Sequence, residues 1–163
     1  MFSDNILGLA RSVIQTATSS GLMLTTAESC TGGLISGALT EIPGSSAVLD
    51  RSFVTYSNEA KNQMLSVSAE SLMKFGAVSE AVAKEMAFGA IANSRADVAV
   101  SVTGIAGPGG GSHEKPVGLV WFGVCRIGET PQAVRYVFDD TDRTSIRLEA
   151  VQTALQLALN QLG

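Results

Sequence analysis

Ile6, Leu7, Ala10, Val13, Ile14 and Ala17 recur at three- and four-residue intervals, which predicts a helix over 4–19 that Gly21 is placed to end. An apolar run then predicts a strand over 22–27, followed by a segment of helical period from 30 to about 40 carrying Leu34, Ile35, Ala38 and Leu39. The turn Pro43-Gly44-Ser45-Ser46 closes that unit, and Phe53, Val54 and Tyr56 mark a second strand at about 49–56. Ser57 is placed as the N-cap of a helix containing Glu59, Lys61 and Met64. Shorter helical stretches follow at 68–75 and 79–93. Val98-Ala99-Val100-Ser101-Val102 is nearly all apolar, the pattern of a strand covered on both faces. Residues 117–126 and 132–138 read as an antiparallel pair, and Leu148, Val151, Leu155, Leu159 and Leu162 form the stripe of a final helix. Strands alternating with helices, ending in one hairpin, predict a three-layer α/β/α sandwich around a mixed, mostly parallel sheet, and no repeat or linker divides residues 1–163.

Composition narrows the class. The chain has 163 residues, 45% of them hydrophobic and 16% charged, enough for one well-buried core with room for a homo-oligomer interface. No apolar run approaches the roughly 20 residues that span a bilayer, and Met1-Phe2-Ser3-Asp4-Asn5 has no signal-peptide character. A net charge of −4 argues against a nucleic-acid partner bound through a basic surface. Cys30 and Cys125 form neither a disulfide framework nor a zinc spacing, and the expected compartment is the cytoplasm.

Four stretches could carry chemistry. In T-A-E-S-C-T-G-G (26–33), Ser29, Cys30 and Thr31 fall at a strand-to-helix junction with Gly32 and Gly33 behind them. Free N–H groups at the helix start could bind a phosphate or an oxyanion there, or Ser29 or Thr31 could simply cap the helix. Cys30 is a rival nucleophile lacking an evident base, or a small packing residue. The loop from Thr103 to Gly118 leaves the carboxyl end of a buried strand, where α/β sheets collect ligands. Its glycines at 104, 107, 109, 110 and 111 allow close approach of a ligand, or only make turns. The loop matches neither the dinucleotide nor the P-loop signature.

Y-S-N-E-A-K (56–61) places Lys61 near a helix N-terminus, where positive potential and burial would lower its pKa toward that of a general base; the alternative is a solvated side chain. Arg143 and Arg147, in D-D-T-D-R-T-S-I-R, lie one turn apart at the start of the last helix, either as anion ligands or as solvated surface charges. His113, the single histidine, reads as an exposed loop residue, so neither a serine–histidine triad nor a transition-metal site is expected.

Together, T-A-E-S-C-T-G-G, F-V-T-Y-S-N-E-A-K (53–61), G-A-V-S-E (76–80), S-V-T-G-I-A-G-P-G-G-G (101–111) and E-K-P-V-G (114–118) resemble the CinA C-terminal domain family. The resemblance covers nearly the whole chain, in its stand-alone form. It implies a nicotinamide-nucleotide amidohydrolase that deamidates nicotinamide mononucleotide (NMN) to nicotinate mononucleotide and ammonia, without a cofactor. It further implies Ser29 as nucleophile, with Lys61 and Tyr56 completing a Ser/Lys-type site. The N–H groups near Cys30 and Thr31 are then expected to form the oxyanion hole, with Gly32 and Gly33 allowing substrate approach. Thr103, Gly104, Ala106, Gly107 and Arg143 are expected to hold ribose and phosphate. Two other readings stay open: a non-catalytic nucleotide-binding or regulatory module, and a cysteine amidohydrolase using Cys30.

Overall fold

A computed structural model describes residues 1–139 and 142–163, leaving Asp140 and Thr141 of the D-D-T-D-R-T-S-I-R stretch outside the described residues. The elements run α1 (Asp4–Ser20), β1 (Leu24–Glu28), α2 (Leu34–Thr40), β2 (Leu49–Val54), α3 (Asn58–Leu65), α4 (Ala69–Phe75), α5 (Glu80–Ala92), β3 (Val98–Gly104), β4 (Leu119–Arg126), β5 (Gln132–Val137) and α6 (Arg143–Leu162). Their sheet has the order β2-β1-β3-β4-β5. Strand β1 pairs in parallel with β2 and β3, and the β3–β4 and β4–β5 pairings are antiparallel. Only β4 therefore opposes the other four strands, which is the mixed, mostly parallel sheet expected.

The helices cover both faces, completing the three layers. Along β3, Val98, Val100 and Val102 point into a core shared with α1, α2 and α6, while Ala99 points to a second core with Leu65 of α3 and Val82, Met86 and Ala90 of α5. This is period-two alternation with apolar residues on both sides. The second face is lined by small side chains. The hydroxyl of Ser101 donates to the Ala83 carbonyl of α5 at 2.6 Å and accepts from the Gly123 N–H at 3.1 Å. A Cβ on Gly123 would run into that Ala83 carbonyl, so α5 can lie this close to β4 only over a glycine.

Boundaries beside both motifs depart from expectation, and β2 ends at Val54, short of Tyr56. Helix α2 begins at Leu34 rather than at residue 30, because Gly33 sits at φ 98°, in the left-handed region that interrupts a right-handed helix. The first strand reaches Glu28, so residues 29–33 form a turn between strand and helix. In the β1–β2 register, Glu28 lies opposite Val54, and the Thr55 N–H donates to the Glu28 carbonyl at 2.9 Å. The two strand ends that feed the motifs at 26–33 and 53–61 are thereby fixed side by side.

Gly123 has no positive φ, so alanine is conformationally allowed there and its effect is steric. Gly123→Ala is expected to lower stability by about 1–3 kcal/mol, the range for overpacking a filled core. The check is a fall in the urea midpoint at unchanged slope.

Candidate active site

Glu28 organises the turn that follows it. Its side chain is fully buried and surrounded by five donors. Oε1 accepts from Thr26 Oγ1 (3.1 Å) and the Ser36 N–H (2.9 Å). Oε2 accepts from Thr31 Oγ1 (2.8 Å) and from the N–H groups of Gly33 and Ile35 (both 3.0 Å). Hydrogen bonds to a charged group contribute about 1.5–3 kcal/mol each, and a buried carboxylate without them would cost several kcal/mol. Ile35 and Ser36 are the second and third residues of α2, the ones an N-cap normally satisfies. Glu28 therefore caps α2 from the preceding strand, and neither Ser29 nor Thr31 does so. The N–H groups of α2 expected to be free for an anion are occupied.

Reading by short-range capping rules misses Glu28, because the residue immediately before α2 is Gly33, which has no side chain to cap with. One signal was available: a single acidic residue inside the buried run Leu24–Glu28 requires donors.

Ser29 and Lys61 meet. The Lys61 Nζ lies 2.9 Å from Ser29 Oγ and 2.9 Å from the Thr55 carbonyl. Helix α3 delivers this amine: Ser57 caps it by accepting from the Ala60 N–H at 3.0 Å, and Lys61 follows in the first turn. Of the two expectations for Lys61, the solvated side chain fails, since only 1% of the residue is exposed. Burial pulls its pKa below the ordinary 10.5, with the Cys30 sulfur opposing that shift. An amine that loses its proton there can accept one from the neighbouring hydroxyl. The Thr55 hydroxyl is also buried and has no hydrogen-bond partner among the described residues.

Cys30 is a packing residue of the larger core, and burial pushes its thiol up to about 12. A thiol with that pKa holds its proton at neutral pH, and the thiolate is the reactive form. The Gly32 N–H donates to the Ser29 carbonyl at 3.0 Å, closing a turn with the Cys30–Thr31 peptide at its corner. Among the described residues, no carbonyl accepts from the N–H of Cys30 or Thr31.

The two arginines of α6 do different work. Arg147, half-buried, donates to the carbonyls of Cys30 (3.0 Å, Nε) and Thr31 (3.1 Å, Nη2), a structural use that its reading as an anion ligand or solvated charge did not include. Arg143 donates to the Gly107 carbonyl (2.6 Å) and to the hydroxyl of Tyr56 (2.9 Å), so it joins the 56–61 motif to the glycine-rich loop. Tyr56 is 61% exposed, and among the described residues no hydrogen bond joins it to Ser29 or Lys61.

In the glycine-rich loop, Thr103 donates its hydroxyl to the Ala77 carbonyl at 2.8 Å, tying the end of β3 to the 76–80 motif. Ala106 packs in the core. A Cβ on Gly104 would lie 2.7 Å from Val120 Cγ2, and one on Gly107, at φ 74°, would lie 2.6 Å from Val117 Cγ1. These two glycines serve the loop's own packing against β4 and the chain before it. His113 is exposed, as expected. A cavity of about 500 Å³ elsewhere on the molecule is lined by Leu65, Ser66, Lys84, Glu85, Phe88 and Pro131, not by Ser29 or Lys61. Among the described residues no hydrogen bond joins the Ser66 hydroxyl to Lys84 or Glu85, which bond to Glu80 and Ser71 instead, so the Ser29–Lys61 pair is the better candidate for chemistry. Among the described residues, no group of His, Cys, Asp or Glu side chains could hold a metal, and no helix is long and apolar enough to cross a membrane.

Comparison with known proteins agrees with the fold. The chain is 54% identical over 141 residues to the nicotinamide-nucleotide amidohydrolase PncC of Enterobacter agglomerans, covering 86% of this chain and 85% of that one. It is 48% identical to the protein of the same name from Escherichia coli K12, covering 99% and 97%. A solved structure, the competence/damage inducible protein CihA from Agrobacterium tumefaciens, superposes with a TM-score of 0.95 at 56% identity, covering 99% of both chains. The family model of the CinA C-terminal domain matches residues 7–162, and the chain belongs to that family.

Proposed function

We propose that this protein is an amidohydrolase that converts nicotinamide mononucleotide and water to nicotinate mononucleotide and ammonia, through an acyl-enzyme on Ser29. Relatives bearing the name nicotinamide-nucleotide amidohydrolase match it over nearly their whole length. The observation that carries the mechanism is the buried 2.9 Å contact between Ser29 Oγ and Lys61 Nζ. A nucleophile needs a base within hydrogen-bond reach, and this amine is the one such group on the Ser29 hydroxyl among the described residues.

In this reading Lys61 is unprotonated when substrate binds. It takes the Ser29 proton as Oγ attacks the carboxamide carbon, and the carbonyl oxygen becomes an oxyanion. The Lys61 ammonium returns the proton to the amide nitrogen, the C–N bond breaks and ammonia leaves. Water then attacks the ester and Lys61 takes a proton from it; the Lys61 ammonium returns that proton to Oγ as the C–Oγ bond breaks, releasing the acid and restoring the Ser29 hydroxyl and the neutral amine. The Thr55 carbonyl holds the amine on line throughout. General-base assistance of this kind contributes about 10²–10⁴ in rate. With α2 capped by Glu28, the N–H groups of Cys30 and Thr31 are the donors left beside Ser29 for the oxyanion. Tyr56 and Arg143, joined by a hydrogen bond, with Thr103, Gly104, Ala106 and Gly107 behind them, form the ribose- and phosphate-binding side. Two of the five guanidinium N–H donors of Arg143 are used by Gly107 and Tyr56 among the described residues. The physiological setting is pyridine nucleotide recycling in the cytoplasm.

Ammonia release from NMN tests the reading. Ser29→Ala is expected to lose at least about 10³-fold in turnover, whereas Cys30→Ala keeps most of it. The reverse ranking would move the nucleophile to Cys30. Folded protein that binds NMN without turnover would make the chain a binding module.

The lowered pKa of Lys61 fixes the direction of two pH effects. The acid limb of kcat/KM is expected to rise as Lys61 deprotonates, at a pH below its ordinary 10.5, and a profile still climbing through 10.5 would remove its role as base. For stability, the unfolded chain binds the proton more tightly than the folded one. Burying the charged amine is therefore most unfavourable below the folded pKa, and stability recovers as pH rises toward 10.5. In chemical denaturation, the wild type should accordingly gain stability relative to Lys61→Met with rising pH across that window.

A further inference from the structure

The turn after Ser29 is anchored by a residue more than a hundred positions away. Arg147, from α6, places Nε 3.0 Å from the Cys30 carbonyl and Nη2 3.1 Å from the Thr31 carbonyl. Gly32 sits at φ 59°, in the left-handed region, and a Cβ there would come only into ordinary contact with that same Nη2, at 3.4 Å. The Cys30–Thr31 peptide is planar and trans, so its N–H points opposite to its carbonyl. With the Cys30 carbonyl held on Arg147, the Thr31 N–H is aimed away from α6.

Thr31 is fully buried, yet its N–H has no acceptor among the described residues. Buried N–H groups are almost always paired, so one kept in place without a partner points to a ligand atom that completes it. Two further contacts tether the groups that flank this peptide, while its own carbonyl is held among the described residues by Arg147 alone. The Thr31 hydroxyl is bonded to Glu28 Oε2 on one side, and the Gly32 N–H closes on the Ser29 carbonyl on the other.

We propose that Arg147 is a positioning residue that holds the Cys30–Thr31 peptide so that the Thr31 N–H meets the oxyanion formed when Ser29 attacks the amide. The proposal rests on the hydrolase reading above. Arg147 touches no reacting atom in it; the guanidinium acts through one peptide plane. Loss of the clamp leaves that peptide free to present its carbonyl where the N–H should be, which would weaken the transition state and leave substrate binding nearly intact.

The test is steady-state ammonia release by the full chain carrying Arg147→Ala, Arg147→Gln or Arg147→Lys, with thermal unfolding followed alongside. One oxyanion donor is typically worth about 10²–10³ in kcat. The expected result is a fall of that size in kcat for Arg147→Ala and Arg147→Gln, with KM changed less than about threefold. Arg147→Lys should fall between these and the wild type, because a single ammonium cannot span two carbonyls as the guanidinium fork does. Added guanidinium ion, below denaturing concentration, should restore part of the Arg147→Ala turnover, an effect that a generally loosened fold would not show. A rise in KM at constant kcat would make Arg147 a substrate ligand and overturn the proposal. So would loss of activity that tracks a fall in melting temperature in every variant without guanidinium rescue. Normal wild-type turnover with undiminished Arg147 variants would sink the positioning role alone, whereas absence of wild-type turnover would sink the hydrolase reading and this role with it.

Discussion

The buried carboxylate of Glu28 is the constraint on which the site depends. It stands at the end of a strand, beneath a turn, and accepts five hydrogen bonds from three segments: β1 itself, the turn, and the first residues of α2. A charge in the interior is tolerable only when its lone pairs are filled. That requirement brings Thr31, Gly33, Ile35 and Ser36 to one point, and the path of the chain from Ser29 to the helix follows. The turn is shaped from beneath by an anion and from α6 by a cation, with the peptide planes held between them.

This arrangement separates two uses of a helix N-terminus that look alike in sequence. Free N–H groups at a helix start form an anion site, whereas N–H groups already held by a side chain are structural. Here the α2 groups are of the second kind, and donor capacity passes to the turn that precedes the helix. The electrostatics follow the same division. Burial favours the neutral form of the Lys61 amine and so lowers its pKa, while the same burial raises that of the adjacent Cys30 thiol. One apolar pocket thus readies the amine to accept a proton and silences the sulfur beside it.

How far the sequence revealed this depends on the range of the interaction. The continuous apolar run Val98–Val102, the stripes of α1 and α6, and the Ser57 cap are local patterns, and they gave the layers and the approach of Lys61. The start of α2 was misjudged because apolar periodicity extends back past Gly33, while the left-handed backbone at that glycine ends the helix whatever the side chains suggest. Glu28 was overlooked because its partners are donors from main chain folded over it, which no spacing rule describes. Arg147 was paired with Arg143 by spacing along one helix, yet their targets are carbonyls on different segments. Tyr56 shares a motif with Lys61 but faces Arg143, since the strand end preceding α3 turns alternate residues to opposite sides.

The β1–β2 register has a consequence for quality control. Ser29 and Thr55 each follow directly on paired strand ends, with Glu28 opposite Val54, and the Thr55 carbonyl also receives the Lys61 amine. A slip of one residue between these strands would reverse the side-chain faces and carry the serine away from the lysine. A chain trapped in the neighbouring register could keep most of its helices and much of its apolar burial while holding no joined pair. The Ser29–Lys61 contact thus acts as a vernier on strand pairing: it closes only when two separate segments agree to within one residue, and so reports on native pairing more sharply than secondary-structure content can.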